Sequence, residues 1–398
     1  MITRAEQECL ARIEHASMVA QVQDWAAINT GTGNVAGLKA QAAALAEAFG
    51  ALPGDVRLVD PALVERIAQD GSPQAVANGQ HLIVSVRPHA NFRVLLTGHM
   101  DTVFGPDHPF QTCRWLDDNT LGGPGVADMK GGIAVMLAAL MALEESGIQL
   151  GYDVLINSDE ETGSLSSAAL IAELAQGKAA ALTFEPALPD GTLAVARPGS
   201  GNFSAIITGK AAHAGRNPED GRNALVAAAD LAVRLAQART PALGINPAKI
   251  DGGGPNNVVP DHAVLRFNLR PKSPQDEAAA RTLIARLTSD VEAAHGVHIH
   301  LHGGFNRPPK PVTPEAARLF DLVTQAGADL GQTIARRDTG GVCDGNNIAA
   351  CGVPVVDTMG ALGGNIHSSE EFLLVNALVP RAQLAALTLM RLAANGSV

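Results

Sequence analysis

The chain has 398 residues, of which 46% are hydrophobic and only 3% aromatic, a composition typical of an α/β protein with room for two domains. It carries 40 acidic and 29 basic side chains, hence a formal net charge of −11. Nucleic acid and anionic membrane surfaces both require a basic patch, so this balance argues against either as a partner. The four cysteines have no paired spacing and the N-terminus has no apolar signal region, so we expect an intracellular, cytoplasmic protein without disulfides.

The first hundred residues predict helices followed by strands. Hydrophobic periodicity predicts amphipathic helices over Ala5 to Asn29 and Gly37 to Phe49. Short apolar runs near Val56 to Val59, His81 to Val86 and Phe92 to Thr97 predict strands, the last of them covered on both faces.

A histidine and a carboxylate, His99 and Asp101, follow the third of these strands. Residues two apart in an extended segment project to the same side, so His99 can bind a metal through one ring nitrogen while Asp101 orients the ring through the other. Two polar residues facing water at a strand end explain the pattern equally simply, and the local sequence alone favours that explanation.

The glycine-rich segment Gly122 to Gly132 precedes a helix predicted from about Gly131 to Glu145. Asp128 stands where an N-cap residue is expected, and the local sequence favours this role over that of a carboxylate bridging two cations. The longest apolar run of this region, Ile133 to Leu143, is too short to span a bilayer.

Two further predicted strands also end in acidic residues. Tyr152 to Asn157 runs into Asp159-Glu160-Glu161, and Ala179 to Phe184 ends at Glu185. Adjacent acids repel one another unless they are solvated or face a cation, so Glu160 and Glu161 are either a proton shuttle and a ligand or part of a solvated loop before a helix over Ser164 to Gln176. With His99 and Asp101, three strand ends now carry histidine or acid, and sites in open α/β sheets form at such ends.

After about Ala196 the pattern changes to strand–helix–strand–strand–helix–strand, which predicts a compact α+β insert with an antiparallel sheet. The predicted elements are strands over Gly201 to Gly209, Leu243 to Ile250, His262 to Leu269 and Val297 to Leu301, and helices over Gly221 to Ala238 and Pro274 to Ala294. On the last strand His298, His300 and His302 alternate without an acid, and we interpret them as a solvent-facing row. The segment Pro308 to Pro311 is the predicted linker out of the insert.

The C-terminal part alternates helices, loops and one strand. Helices are predicted over Glu315 to Leu330 and from about Glu370 to Ala393, and a strand over Val353 to Val356. A second glycine-rich loop around Gly340 and Gly341 opens a helix, and a later loop contains His367.

Taken together, these segments resemble the dinuclear-zinc M20 metallopeptidase and amidohydrolase family, over essentially the whole chain, with closest similarity to its glutamate carboxypeptidase (carboxypeptidase G) and acetylornithine deacetylase branches. The resemblance rests on five motifs in order, with the insert between the fourth and fifth: Gly98-His99-Met100-Asp101-Thr102-Val103, Gly125-Val126-Ala127-Asp128-Met129-Lys130-Gly131-Gly132, Asp159-Glu160-Glu161-Thr162-Gly163-Ser164, Phe184-Glu185-Pro186 and His367.

The resemblance implies the following site. Asp128 bridges two Zn²⁺ ions, with Co²⁺ or Mn²⁺ as alternatives; His99 and Glu185 complete one metal position, and Glu161 and His367 the other. Asp101 orients His99, Glu160 is the general base, and a cis peptide follows Asp128. A homodimer is expected, in which His213 reaches the partner's active site and stabilises the oxyanion. Asn257, Arg270 and Gly341 match residues that contact substrate or line the pocket.

The implied fold is α/β, with a mostly parallel-sheet zinc-peptidase catalytic domain at 1–196 and 312–398 and a ferredoxin-like α+β lid and dimerisation domain at 197–311. The implied function is hydrolysis of an amide bond next to a free carboxylate, in a small-molecule amide or short peptide, by a carboxypeptidase G-like exopeptidase releasing C-terminal glutamate or a related amino acid. An N-acyl-amino-acid deacylase of the acetylornithine deacetylase or succinyl-diaminopimelate desuccinylase type is the alternative. A degenerate metal-binding regulatory protein is disfavoured, because Glu160 and all five ligand positions are filled. A structural α/β oligomer whose loops are merely rich in acid is a third possibility, and it predicts no stoichiometric zinc.

Overall fold

The computed structural model describes residues 1–398, with ten α-helices and twenty strands, several of them only two residues long. The helices are α1 (Arg4–Leu10), α2 (His15–Ala26), α3 (Val35–Phe49), α4 (Gly132–Glu145), α5 (Ala168–Ala175), α6 (Ala224–Gln237), α7 (Pro274–His295), α8 (Pro314–Asp329), α9 (Asp344–Ala350) and α10 (Leu378–Asn395). The strands are β1 (Asp55–Val59), β2 (Val64–Ile67), β3 (Pro73–Val76), β4 (His81–Val86), β5 (Arg93–His99), β6 (Arg114–Trp115), β7 (Thr120–Gly122), β8 (Gly151–Asn157), β9 (Ala180–Thr183), β10 (Leu193–Ala194), β11 (Ser200–Thr208), β12 (Ala212–His213), β13 (Leu243–Gly252), β14 (Val258–Val259), β15 (His262–Pro271), β16 (His298–Arg307), β17 (Arg336–Arg337), β18 (Val355–Val356), β19 (Gly363–Gly364) and β20 (Phe372–Leu374).

A six-stranded mixed sheet with the order β1-β4-β8-β5-β9-β18 forms the centre of the molecule. Strands β8, β5, β9 and β18 run parallel to one another, and β1 and β4 extend the sheet in antiparallel fashion. Side chains alternate between the two faces, since Leu96 joins the main core cluster whereas the neighbouring Leu95 joins a smaller cluster on the opposite face. The predicted α/β class is therefore confirmed. The sheet is mixed, because two of its five strand pairs are antiparallel.

The insert forms a second layer with its own core. Its four strands pair antiparallel in the order β13-β15-β11-β16, and helices α6 and α7 pack on this sheet. A cluster of 20 buried residues between Phe203 and Ile299 lies wholly within the insert. The order of its elements is the predicted strand–helix–strand–strand–helix–strand.

Helix α4 and the turns before it, Val126–Glu145, are long and apolar enough by length and composition to cross a membrane, but 89% of this window is buried inside the protein. This window is longer than the apolar run Ile133 to Leu143 because it also includes Asp128 and Lys130 at one end and Glu144 and Glu145 at the other. It packs against α10, α2 and the central sheet, as an internal helix does.

Two predicted helices differ clearly in extent from the structure, and one hairpin was not predicted. The single helix over Ala5 to Asn29 is two helices, because the buried Ile13 turns the link between α1 and α2 into the core. The last helix begins at Leu378, because Phe372–Leu374 instead pairs as β20 with β7. The hairpin of β2 and β3 was not predicted, since its strands are largely exposed and lack an apolar alternation. Of the three alternating histidines, His298 and His300 are exposed, whereas His302 is half-buried.

Candidate active site at the edge of the central sheet

Three strand ends meet at one edge of the central sheet and carry polar side chains there. His99 is the last residue of β5, Glu160 and Glu161 follow β8, and Glu185 follows β9. Strand β5 lies between β8 and β9 with all three parallel, so their carboxyl ends converge.

The glycine-rich loop brings Asp128 into this cluster. Its Oδ1 lies 3.0 Å from His99 Nε2, and its Oδ2 lies 3.4 Å from His367 Nε2. The capping role favoured by the local sequence is wrong, because the N-cap of α4 is Gly131 and no side chain caps that helix. The Asp128-Met129 peptide bond is cis, as the resemblance implied.

Two groups of ligand atoms therefore share the Asp128 carboxylate. On one side His99 Nε2 lies 3.8 Å from Glu185 Oε2, and on the other His367 Nε2 lies 3.2 Å from Glu161 Oε2. Potential ligand atoms of two triads, His99-Asp128-Glu161 and His99-Glu160-Glu185, lie within 4.8 Å of one another. Imidazole and carboxylate donors at this spacing suit divalent zinc, cobalt or manganese.

The electrostatics of the cluster favour a positive charge at its centre. Burial raises the pKa of Glu161 to about 7 and also raises the pKa of Glu185. Hydrogen bonds to Asp128 and Glu161 raise the pKa of His367 to about 10. Carboxylates buried this closely are costly unless a cation faces them, so the donor set fits a pair of metal ions.

Asp101 is fully buried and orients three of the functional groups at once. Its Oδ1 lies 3.4 Å from His99 Nδ1, which also contacts the Asp101 carbonyl oxygen at 3.0 Å. The backbone N–H groups of Glu160 and Glu161 donate to its carboxylate at 3.1 and 3.2 Å. Since Nδ1 of His99 is engaged in this way, Nε2 is the nitrogen left to face a metal.

Glu160 is held by an arginine that the sequence reasoning missed. Arg307 Nη2 lies 2.7 Å from Glu160 Oε1 and donates to the Glu160 carbonyl oxygen at 2.8 Å, while its Nη1 donates to Asp344 Oδ1 at 3.2 Å. Burial raises the pKa of Glu160 well above its ordinary value, and the charge of Arg307 opposes that shift. Arg307 ends β16, the last strand of the insert, and no feature of the local sequence distinguishes it from a surface arginine.

Glu371 is a second residue that the sequence reasoning missed. Its buried carboxylate accepts backbone N–H groups of Gly125 at 3.2 Å and of Ala127 and Asp128 at 3.0 Å, and so holds the loop that presents Asp128. Burial raises its pKa to about 7. Its position four residues after His367 could have indicated that Glu371 lies near the site. The sequence analysis instead assigned Glu371 to the start of the last helix.

Two cavities open on the ligand cluster. The Arg270 cavity, about 320 Å³, is lined by Glu160, Glu161, His367 and Arg270, a residue of the insert. The Arg337 cavity, about 250 Å³, is lined by His367, by Arg337 and by four acids of the site, Asp128, Glu160, Glu161 and Glu185. Gly341 lines both, as expected for a pocket residue.

His213 and Asn257 are not brought to either cavity within this chain. Both are exposed at the tip of the insert, where the Ala214 N–H donates to the Asn257 carbonyl oxygen at 2.9 Å. His213 Nδ1 accepts the N–H groups of Gly215 and Arg216 at 3.1 and 3.2 Å. The neutral ring therefore carries its proton on Nε2, where it can be donated outward.

The sequence is similar to a known family and to characterised proteins. The model of the family described as Peptidase family M20/M25/M40 matches residues 95–391. Carboxypeptidase G2 from Pseudomonas sp. (strain RS-16) is 32% identical over 326 residues, which cover 80% of this chain and 78% of that protein. A succinyl-diaminopimelate desuccinylase from Methylorubrum populi is 30% identical over 309 residues, which cover 70% of this chain and 76% of that protein.

The fold also recurs in a solved structure of a dinuclear metal-binding peptidase of the M20 family from Bacillus subtilis. The two superpose with a TM-score of 0.67 at 15% identity, over 95% of this chain and 98% of that one. This similarity extends across both the sheet that carries the site and the insert.

Proposed function

Since the chain belongs to peptidase family M20/M25/M40 and is a metal-dependent hydrolase of peptide or amide bonds, we propose that it cleaves an amide bond next to a free carboxylate. The proposed activity is that of an exopeptidase releasing a C-terminal glutamate or a related amino acid. The observation that carries this proposal is the Arg270 cavity, in which a lid arginine faces Glu160 and the ligand cluster. The catalytic domain comprises 1–196 and 312–398, and the lid comprises 197–311.

Five side chains would supply the ligands for two Zn²⁺ ions. His99, Asp128 and Glu185 would hold one ion, and His367, Asp128 and Glu161 the other; Co²⁺ or Mn²⁺ suits the same donors. Bound there, the ions would supply Lewis acidity for the amide carbonyl and lower the pKa of water.

Glu160 moves the proton during hydrolysis. Arg307 engages its Oε1, so Oε2 accepts the proton of the attacking water and later returns it to the leaving nitrogen. Asp101 fixes the positions of the Glu160 backbone and the His99 ring during this proton transfer. Arg270 binds the substrate carboxylate, and an arginine suits this role because its planar group pairs with both oxygens. Asn257 lies outside the Arg270 cavity of its own chain, so we assign its contact with substrate to the active site of a neighbouring subunit.

The lid tip completes the site of a neighbouring subunit in a homodimer. His213 offers Nε2–H as an oxyanion donor, yet within its own chain it lies outside the cavities, so we assign it to the partner's active site. If so, mixing a His213→Ala protein with a Glu160→Gln protein restores about a quarter of wild-type activity, because half the dimers then contain one intact site. No rescue after subunit exchange has been verified by mass spectrometry would contradict this assignment.

An N-acyl-amino-acid deacylase is the second candidate, favoured by the similarity to succinyl-diaminopimelate desuccinylase. The test is mass-spectrometric profiling of the zinc-loaded protein on two panels. One panel holds short peptides and acyl conjugates that end in different amino acids, and the other holds N-acetyl and N-succinyl amino acids. Release of C-terminal glutamate supports the exopeptidase, and release of acetate or succinate supports the deacylase. Failure to cleave either panel with two metals bound would contradict both. The cytoplasmic location stays a prediction.

A further inference from the structure

The hydrogen-bond ladder between β5 and β9 stops just before the ligand cluster. The two strands pair in parallel from Val94 to Thr97, and the Phe184 N–H donates to the Thr97 carbonyl oxygen at 2.9 Å. In a regular parallel ladder the next bond joins the His99 N–H to the Phe184 carbonyl oxygen. The backbone of His99 does not form that bond. The end of β5 is therefore released from β9 at the residue whose Nε2 faces the cluster.

A thioether takes the place of the missing carbonyl. The His99 N–H donates to Met129 Sδ, with 3.2 Å between nitrogen and sulfur, and the Met129 side chain is fully buried. A buried N–H without an acceptor is costly, and thioether sulfur is a weak acceptor that fits where a backbone carbonyl does not reach. Because Met129 directly follows Asp128, the same bond ties the glycine-rich loop to the end of β5.

Glycines on both sides make room for this arrangement. A Cβ atom on Gly98 would lie 2.8 Å from Met129 Cε, closer than real Cβ contacts come, so the thioether requires glycine there. The Phe184 carbonyl oxygen faces the backbones of Gly132 and Gly360 instead of His99, since a Cβ atom on either glycine would lie 2.0 Å from it. Gly98 and Gly132 belong to the sequence motifs but have no part in the proposed chemistry, and the opened strand end gives them one.

We propose that Met129 is a positioning residue for the ion position formed by His99 and Glu185. By accepting the His99 N–H, its sulfur keeps the end of β5 apart from β9, and Glu185 follows β9. His99 Nε2 and Glu185 Oε2 then lie 3.8 Å apart, too far for a direct hydrogen bond but able to face one ion. Asp101 fixes the ring of His99, and Met129 fixes its backbone. This inference rests on the proposed function, because it assigns the opened strand end to metal binding.

The first test follows the His99 N–H in the metal-free protein. Histidine labelled with ¹⁵N at the backbone gives one amide signal for each of the 12 histidines, and a His99→Asn variant identifies the signal of His99 by its absence. Met129→Leu nearly conserves volume and removes the acceptor. Hydrogen exchange at His99, relative to the buried His81 of β4, should then be about fivefold or more faster, the factor that corresponds to one hydrogen bond. Met136→Leu, at an equally buried methionine of α4, should leave that ratio unchanged.

The second test titrates the same metal-free proteins with Zn²⁺ by calorimetry. Met129→Leu should weaken zinc binding about 10–100-fold, as expected for a group that positions a metal ligand, and Met136→Leu should bind zinc as wild type does. A loss of general stability would instead accelerate exchange at His81 and His99 together.

The two tests separate this inference from the proposed function. The inference is overturned if Met129→Leu leaves the exchange ratio of His99 to His81 unchanged, if it binds zinc as tightly as wild type, or if Met136→Leu has the same effects. If wild type binds no zinc, the proposed function fails, and the exchange ratio alone then decides whether the sulfur positions His99.

Discussion

The edge of the central sheet and the tip of the insert are organised differently. At the sheet edge the functional side chains are buried and fixed by several hydrogen bonds each, with Asp101 alone contacting three other functional groups. At the tip His213 and Asn257 are exposed and are held only through local backbone contacts. The difference indicates that chemistry is built into the rigid sheet, whereas substrate recognition depends on where the insert lies.

The largest expected effect lies at the sheet edge. Glu160→Gln should lower kcat about 10²–10⁴-fold, the usual contribution of general acid–base catalysis, with metal content unchanged because the five ligands remain. Steady-state kinetics and elemental analysis of the same sample test this. Glu173→Gln, an exposed change of the same type on α5, is the control. If the Glu160→Gln protein kept most of its activity, Glu160 would not be the general base.

The next effect is expected where the chain enters and leaves the insert, at Arg197 and Lys310, whose backbones hydrogen-bond to each other. Asp357 is fully buried; burial raises its pKa, but Lys310 at 2.8 Å and Arg197 at 2.5 Å hold the pKa at about 2. Asp357→Asn leaves two buried cations unpaired and should lower the free energy of unfolding by about 3–5 kcal/mol. Denaturation by urea, with the exposed Asp118→Asn as control, measures this. If the free energy of unfolding fell by less than about 1 kcal/mol, Asp357 would contribute no more than an exposed ion pair does, and its coupling to Lys310 and Arg197 would be contradicted.

Asp357 also makes the free energy of unfolding depend on pH. Because the folded pKa of Asp357 lies below the unfolded value of about 3.9, its contribution is fully present above that value and is lost as pH falls towards about 2. Between about pH 4 and pH 2, wild type should therefore lose more stability than Asp357→Asn. Parallel slopes for the two proteins across that window would contradict the prediction.

A smaller effect is expected for the residue that supports the Asp128 loop. Glu371→Gln weakens acceptance of three backbone N–H groups and should lower metal affinity about 10–100-fold, as for other groups that position metal ligands. Metal titration by calorimetry tests it against Glu370→Gln, its exposed neighbour. Equal affinities for the two variants would limit Glu371 to a role in folding.

The smallest effect is expected for Arg270 of the insert. Arg270 is exposed, and its Nη1 donates to the Gly340 carbonyl oxygen at 2.9 Å, so its contribution is partly screened by solvent. Arg270→Gln should raise KM about tenfold for substrates with a free α-carboxylate and leave their α-amides unaffected. Arg239→Gln, also exposed on the insert, is the control. An equal rise of KM for acids and amides would argue against carboxylate recognition.

Sequence reasoning reached the sheet-edge residues because strand ends and motif spacing are local properties. His99, Asp128, Glu161, Glu185 and His367 each follow a recognisable segment, and the structure brings them together. Arg307 and Glu371 were missed because their partners, Glu160 and the Gly125 to Asp128 loop, lie 147 and more than 240 residues away in sequence. Contacts over such separations depend on how the insert and the last loop fold back onto the sheet.

The extents of helices were missed for a related reason. The link at Ile13 depends on burial of this residue in the core, and the strand at Phe372–Leu374 depends on pairing with β7. Local propensity does not contain that information. The same holds for Asp128, whose N-cap position in sequence is overridden by the two histidines it contacts.

If Asp128 joins two metal positions into one hydrolytic site, the metal stoichiometry of the protein and its variants must reflect this. Metal-free protein should bind two Zn²⁺ per chain, Asp128→Asn should weaken both positions, and Glu185→Gln should weaken one. Amide hydrolysis should return only as zinc is restored to wild type. Binding of a single Zn²⁺ per wild-type chain would contradict the shared site. So would an Asp128→Asn protein that binds two Zn²⁺ as tightly as wild type does.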